Sequence, residues 1–147
     1  MDSRMNGTTA TNNSQNGALL YVTDLVNDYD ETLDRACQIA ESHGIPMELV
    51  HVVDLANSPS HPDGQMGIQY RLEGLASRLR RLKGTVVSSI LFGSPEDAIS
   101  KRAAEIKAKL IAFGSNSALS ARRQQGLVIR LKHRVGCPVV VLPRIAA

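Results

Sequence analysis

The sequence is poor in aromatic residues and cysteine, and it has no long apolar run. Aromatics make up 3% of the 147 residues and Trp is absent, which predicts an aliphatic core and disfavours a stacking platform for single-stranded nucleic acid. No apolar run approaches the roughly 20 residues that span a bilayer. Cys37 and Cys137 are a hundred positions apart and have no metal-ligand spacing. We therefore expect two reduced thiols in a cytoplasmic protein without a membrane partner.

Charge is distributed unevenly along the chain. Residues 1–70 hold ten acids and two bases (−8), and residues 71–147 hold four acids and fifteen bases (+11), which sum to the net +3. The basic half fits an acidic small ligand or a solvated helix face. It carries no helix-turn-helix, zinc or RNP signature, so no specific nucleic-acid partner is predicted.

The first 17 residues differ in composition from the rest. They are rich in Asn, Thr, Ser and Gly and contain no apolar core of a secretory signal. They predict a flexible tail over 1–17 ahead of one folded domain over 18–144.

Apolar segments alternate with amphipathic ones along the rest of the chain. The predicted strands cover residues 18–24, 47–54, 85–92, 109–114 and 137–143. Connections of helical length between them require parallel strands with right-handed crossovers. The predicted fold is therefore α/β: a doubly wound, five-stranded parallel sheet with helices on both faces.

The helices have recognisable faces and ends. After a predicted loop over 55–66, an apolar stripe runs along the second helix at Ile68, Leu72, Leu75, Leu79 and Leu82. The opposite face of this helix is basic, with Arg71, Arg78, Arg80, Arg81 and Lys83. Predicted ends are a capping box of Asp28 and Glu31, a stop at Gly44 and a cap at Ser94. The last helix is expected after Gly126, carried by Val128, Leu131 and Val135.

Ligands of such sheets bind beyond the carboxyl ends of the strands, near the point where strand order reverses. We expect Asp24, residues 51–54 and the chain from Gly114 onward to gather there. Asp24 would accept a hydrogen bond from a ligand or cap the following turn. His51, Asp54, His61 and Asp63 match no metal-ligand spacing, so no metal site is predicted. No catalytic residue is predicted either, because no nucleophile elbow is present.

Five short segments stand in order along the chain: "YVTD" (21–24), "VHVVD" (50–54), "GSPEDAI" (93–99), "AFGSNS" (112–117) and "CPVVVLP" (137–143). Together they resemble the universal stress protein family over roughly residues 18–144. The resemblance implies a Rossmann-like fold similar to the adenine nucleotide alpha hydrolases. It also implies a small cytoplasmic protein of the stress response, usually dimeric, in a family of which one branch binds ATP or AMP.

The resemblance also implies which residues would hold a nucleotide. Adenine would lie near Asp24 and Val52. Ribose and phosphates would lie on the loop after the fourth strand and on the next helix start: Gly114, Ser115, Ser117, Gly126, Leu127 and Val128. The family's binders carry G-x-x-G-x9-G-[S/T] in this loop. Here Gly114 matches, Ser117 replaces the second glycine, Gly126 comes one position early and Leu127 replaces the hydroxyl residue.

This altered loop predicts a regulatory or binding protein of the stress response with weak or no ATP binding. The alternative is a functional ATP- or AMP-binding member in which Ser117, Arg122 and Arg123 compensate. An enzyme, such as a nucleotide hydrolase, ranks last because neither a nucleophile nor a metal site can be assigned. An unidentified protein partner remains a further possibility for a regulatory module.

The last strand, "CPVVVL", is apolar on both faces. The family's strand order implies that it lies at a sheet edge, where unpaired backbone groups favour association. We expect a homodimer built on Val139, Val140 and Val141.

Overall fold

The computed structural model describes residues 17–23, 31–54, 64–83, 86–114 and 121–142. Within these ranges strands and helices alternate. They are β1 (Leu19–Val22), α1 (Glu31–Ser42), β2 (Met47–Val53), α2 (Gly64–Lys83), β3 (Val86–Phe92), α3 (Pro95–Ile106), β4 (Leu110–Gly114), α4 (Ala121–Lys132) and β5 (Val139–Leu142). The predicted α/β class and order of elements are confirmed. None of the helices in these ranges is long and apolar enough to cross a bilayer.

All five strands are parallel and lie in the order β3-β2-β1-β4-β5. The chain builds outward from β1 to β3, and then returns to place β4 on the other side of β1. The point where strand order reverses therefore lies between β1 and β4. Val22 pairs with Val50 on one side and with Phe113 on the other. β1 ends at this level, whereas β2 continues to Val53 beside β3 and β4 continues to Gly114 beside β5.

Each face of the sheet has its own aliphatic core, because alternate strand residues point to opposite faces. Leu19 and Tyr21 join the core under α1 and α2, while Leu20 joins the core under α3 and α4. The predicted stripe of α2 is confirmed as far as it is described: Ile68, Leu72, Leu75 and Leu79 are all buried. The side chain of Leu82 lies outside the described residues.

Two of the predicted helix ends are confirmed. At the end of α1, Gly44 has φ 66°, a conformation that side chains disfavour. The N–H of Gly44 donates to the carbonyl of Glu41 and that of Ile45 to Ala40, which is a Schellman motif. At the start of α3 the Ser94 hydroxyl accepts from the N–H of Asp97 at 3.4 Å. Asp28 lies outside the described residues.

Two predicted boundaries were wrong. The second helix begins at Gly64, so the end of the predicted 55–66 loop is helical. The last helix begins at Ala121 and ends at Lys132, which places Gly126 inside it and Val135 beyond it. Arg and Gln, which fill positions 122–125, are good helix formers, and an interior glycine costs only about 1 kcal/mol. Gly126 therefore does not delay the helix.

Strand β5 lies at the edge of the sheet, as the resemblance implied. Val139 and Leu142 are buried, Val140 is half-buried, and Val141 is 38% exposed. Neither cysteine forms a disulfide: Cys37 is buried, and Cys137 is half-buried. Burial raises the pKa of the Cys137 thiol, which keeps it protonated near neutral pH.

Candidate ligand site at the carboxyl edge

The strand ends of β1, β2 and β4 define the candidate site. Val52 and Gly114, which the sequence assigned to ligand binding, lie near this edge on strands that flank β1. The other residues assigned to the crevice itself, Asp24, Ser115 and Ser117, lie outside the described residues. The structure therefore describes the strand ends that border the site but not all of the residues that would line it.

His51 ties the ends of β1 and β2 together. Its Nδ1 lies 2.9 Å from the carbonyl oxygen of Thr23. Because a carbonyl only accepts, Nδ1 carries the hydrogen and donates it. The N–H of Thr23 in turn donates to the carbonyl of Val50 at 2.9 Å. Thr23 is thus held to β2 through both its backbone groups, which fixes the chain where it leaves β1 toward Asp24.

The end of β2 is also tied to the start of α3. Val52 is half-buried and packs against the core under α3 and α4. One residue on, the carbonyl of Val53 accepts from the N–H of Gly93 at 3.1 Å. Gly93 has φ 123°, which a residue with a side chain would adopt only under strain. The glycine therefore lets the chain turn sharply from β3 into α3 beside the candidate site.

The three candidate residues in α4 lie in the helix interior. Gly126 is the sixth residue of a helix that begins at Ala121, where α-helical geometry directs its N–H to the carbonyl of Arg122. Leu127 is half-buried and Val128 buried, and both side chains contribute to the core under α3 and α4. A Cβ added at Gly126 would lie 3.2 Å from Nη1 of Arg130, which is the end of a flexible side chain. The described geometry therefore does not require glycine at position 126.

Gln124 is a site residue that sequence reasoning missed. Its Nε2 donates to the carbonyl of Gly114 at 2.7 Å, in a half-buried contact. The bond joins the first turn of α4 to the end of β4, across ten positions of sequence. A glutamine in the first turn of a helix is common, so no motif signals this contact. The doublet Gln124–Gln125 is the only hint that the sequence offers.

A group of ion pairs joins α3 to α4. Arg130 Nε lies 2.8 Å from Glu96, and Arg134 Nη1 lies 3.0 Å from Glu96 and 2.6 Å from Asp97. Hydrogen bonding to Arg134 lowers the pKa of Asp97, and Asp97 raises the pKa of the Arg134 guanidinium. These contacts fix the first turn of α3 against the C-terminal half of α4.

One buried ion pair lies in the N-terminal half of β2. Glu48 is fully buried, and Arg102 on α3 donates to both carboxylate oxygens, from Nε at 2.7 Å and from Nη2 at 2.9 Å. Hydrogen bonding to Glu48 raises the pKa of Arg102. The pair contributes to packing between sheet and helix, and it has no contact with the candidate site in the described residues.

Among the side chains that the structure describes, no group of three or more His, Cys, Asp or Glu is arranged to hold a metal ion. His61 and Asp63 lie outside this set. The side chains of Arg122 and Arg123 are likewise not described, but their backbone lies in the first turn of α4. The first turn of a helix carries N–H groups without intrahelical partners, and these groups favour anions.

Comparison with known proteins agrees with this fold. A family model described as the universal stress protein family matches residues 16–143. The chain belongs to the universal stress protein family. The match covers every described residue, which confirms the resemblance carried by the five sequence segments. No curated protein matches the chain significantly.

Solved structures of universal stress proteins share the fold. One from Archaeoglobus fulgidus in complex with dAMP has a TM-score of 0.66 at 19% identity, covering 87% of this chain and 98% of its own. One in complex with cAMP has a TM-score of 0.62 at 20% identity, covering 85% and 97%. The protein UspA from Lactobacillus plantarum has a TM-score of 0.68 at 15% identity, covering 86% and 98%. At these identities the likeness extends to the fold of this universal stress protein and no further.

Proposed function

We propose that this chain is a regulatory or binding protein of the stress response that acts as a homodimer and binds adenine nucleotides weakly or not at all. The nucleotide class is suggested by two similar structures that hold dAMP and cAMP. The weakness is suggested by the loop after β4. ATP has more phosphate groups than dAMP or cAMP, so its binding would depend more on contacts with this loop.

The observation that carries the proposal is the pair Gly126–Leu127 inside α4. In the family pattern this position holds a glycine followed by a Ser or Thr hydroxyl, whereas here leucine follows and packs against the core. Leucine has no hydrogen-bond donor. Ser117 also replaces a glycine whose backbone approaches the ligand. Losing one or two hydrogen bonds to a charged phosphate, at roughly 1.5–3 kcal/mol each, weakens binding tenfold or more.

Mass spectrometry of the purified protein after gel filtration tests the proposal. We expect little or no retained ATP or AMP, because a ligand with weak affinity dissociates on the column. Stoichiometric ATP that survives gel filtration would overturn it and favour the alternative, a functional nucleotide binder.

That alternative is supported by the position of Arg122 and Arg123 in the first turn of α4. Two guanidinium groups would replace the lost donors with charge-assisted hydrogen bonds. The double variant R122A/R123A tests this. If the arginines compensate, it loses the remaining anion binding together with its dependence on salt. Unchanged ATP binding would show that they are only surface charges.

The homodimer is proposed from the edge strand β5. β5 pairs with β4 on one side. Its own residue Val141 is exposed, and so is Ile129 of α4, at 52%. Antiparallel pairing of two β5 strands about a twofold axis would satisfy the outer backbone groups and bury valine side chains. Pro138 has no N–H, so pairing would centre on Val139 to Val141.

Analytical ultracentrifugation over a range of concentrations tests the dimer. Val141→Lys places a charge on the exposed side chain of β5, whereas Val140 packs against the core and is a poorer choice. We expect the variant to dissociate at concentrations where the wild type is dimeric. A monomeric wild type, or a variant dimer as tight as wild type, would contradict the proposal.

A further inference from the structure

The described apolar contacts of α4 with the core lie toward the end of the helix. Among the described side chains of this helix, Val128 and Leu131 are the buried ones, and both lie in its second half. The ion pairs of Arg130, and of Arg134 just beyond the helix, also act on that half. The contact from Gln124 to Gly114 is the one described side-chain hydrogen bond that ties the first turn to the sheet.

The ends of helices fray unless a side chain or a neighbouring element holds them. Here the first turn follows residues 115–120 and carries N–H groups without intrahelical partners, which would face an anion bound at this edge. If this turn is ordered before binding, a ligand does not have to order it, which improves affinity. If the turn frays, the free energy needed to refold it offsets part of the favourable free energy of binding.

We propose that Gln124 is a positioning residue for anion binding at the carboxyl edge. By donating to the carbonyl of Gly114, its amide holds the first turn of α4 in place against the end of β4. The inference rests on the proposed site for adenine nucleotides and names a residue on which the affinity of that site depends. It does not require Gln124 to touch the ligand.

Hydrogen exchange with single-residue resolution tests the contact without any ligand. The N–H groups of residues 125–127 bond to carbonyls of the first turn by α-helical geometry, so their protection reports its order. Gln124→Met keeps the length of the side chain and removes the donor. We expect protection of these amides to fall about tenfold, the effect of one lost hydrogen bond, with protection in α1 unchanged.

Gln125 provides a matched control, since it is the next residue, has the same chemistry and is exposed. Gln125→Met should leave the protection of residues 125–127 within about twofold of wild type. Equal effects of the two variants, or no effect of Gln124→Met, would overturn the proposal whatever the protein does with nucleotide.

A carboxyl group at position 124 should restore amide protection at low pH, which a general loss of packing would not do. Gln124→Glu has no donor when ionised, but its protonated form donates an O–H to the same carbonyl. Relative to wild type at each pH, this variant should lose protection at pH 8 and regain at least half of it at pH 4, near the ordinary pKa of glutamate. A loss of amide protection that is equal at pH 8 and pH 4 would contradict the role of the hydrogen-bond donor.

The effect on binding is measured by titrating ATP into wild type, Gln124→Met and Gln125→Met. Where the wild type binds, we expect several-fold weaker affinity for Gln124→Met and wild-type affinity for Gln125→Met. Equal affinities would overturn the positioning role. If none of the three proteins binds ATP, the result agrees with the proposed function and overturns the positioning role, although the exchange experiment still decides whether the contact orders the turn.

Discussion

The two faces of the sheet are covered by different means. Among the described side chains of the first face, α1 contributes four buried ones and α2 five to one aliphatic core: Leu33, Ala36, Cys37, Ala40, Ile68, Leu72, Leu75, Ala76 and Leu79. Among those of the second face, α3 contributes three and α4 two: Ile99, Ala103, Ile106, Val128 and Leu131. Charged contacts supplement this smaller apolar contribution. They include the buried pair Glu48–Arg102 and the ion pairs between α3 and α4.

The first face has polar contacts too. One is buried, between the hydroxyl groups of Tyr21 and Thr32, which lie 2.9 Å apart, and a further group lies at the margin of this face. Arg80 of α2 contacts Glu73 and donates to the carbonyl of Val86, and Ser88 donates to Glu73. These bonds join α2 to the edge strand β3 without replacing its apolar packing. The difference between the faces therefore predicts different responses to mutation, salt and pH. It also places the helix that borders the candidate site on the more charge-dependent face.

The largest expected effect is that of breaking the buried pair from one side. Arg102→Leu leaves Glu48 buried without its partner, which should lower the free energy of unfolding by about 3–5 kcal/mol at neutral pH. The matched double variant E48L/R102L removes both charges and should recover most of that loss. Urea unfolding of the wild type, Arg102→Leu and E48L/R102L measures the three free energies of unfolding. A single variant within 1 kcal/mol of wild type would mean that the pair contributes little to the second face.

A somewhat smaller loss is expected on the first face from Leu79→Ala. Leu79 is fully buried in α2, and removing its side chain should cost about 2–5 kcal/mol through lost burial and a residual cavity. Because the contact is apolar, the loss should be the same in 0.05 M and 1 M NaCl. A loss that shrinks markedly in high salt would contradict the distinction between the faces.

The smallest effect is expected from Arg134→Gln, which removes the exposed contacts to Glu96 and Asp97. Exposed ion pairs contribute little to stability, so the loss should be a small fraction of that from Leu79→Ala, and screening should reduce it toward zero in 1 M NaCl. Differences in the unfolding midpoint between wild type and variant at 0.05 M and 1 M NaCl measure this contribution. A loss as large as that of Leu79→Ala, or one unaffected by salt, would show that Arg134 acts through packing.

The same variant has an expected dependence on pH. Arg134 lowers the pKa of Asp97 below its ordinary value of 3.8, so the contribution of this contact is present above the unfolded-state pKa. It is lost as the pH falls through the lower, folded-state value. The difference between wild type and Arg134→Gln should therefore be constant from pH 5 to 7 and shrink below about pH 4. Growth of the difference on acidification would contradict this assignment.

Sequence patterns predicted those features that depend on periodicity and local chemistry. The stripe of α2 was predictable because residues three and four apart share a helix face, and the end of α1 because glycine favours positive φ at a helix stop. The edge position of β5 came from the resemblance, since neither the composition nor the alternation of the strand sets its place in the sheet. The start of α4 differs from the prediction because a glycine inside a helix has the same sequence signal as one at a helix boundary, and the Arg and Gln residues before Gly126 favour a helix.

The missed contacts all depend on tertiary structure. Glu48 and Arg102 are 54 positions apart, and only the crossover that places α3 against the second face brings them together. Gln124 and Gly114 meet because α4 begins early enough for its first turn to reach the end of β4. The strands β2, β1 and β4 lie side by side as expected, whereas ligand binding at their carboxyl ends, with Asp24, Ser115 and Ser117, remains a prediction.

Isothermal titration of the purified protein with ATP, and with AMP in parallel, tests the central claim most directly. The altered loop predicts a Kd for ATP weaker than about 10 μM, or no measurable heat of binding. A stoichiometric site with a submicromolar Kd for ATP would contradict the account, because the loop would then supply phosphate contacts that Leu127 and Ser117 are proposed to have lost.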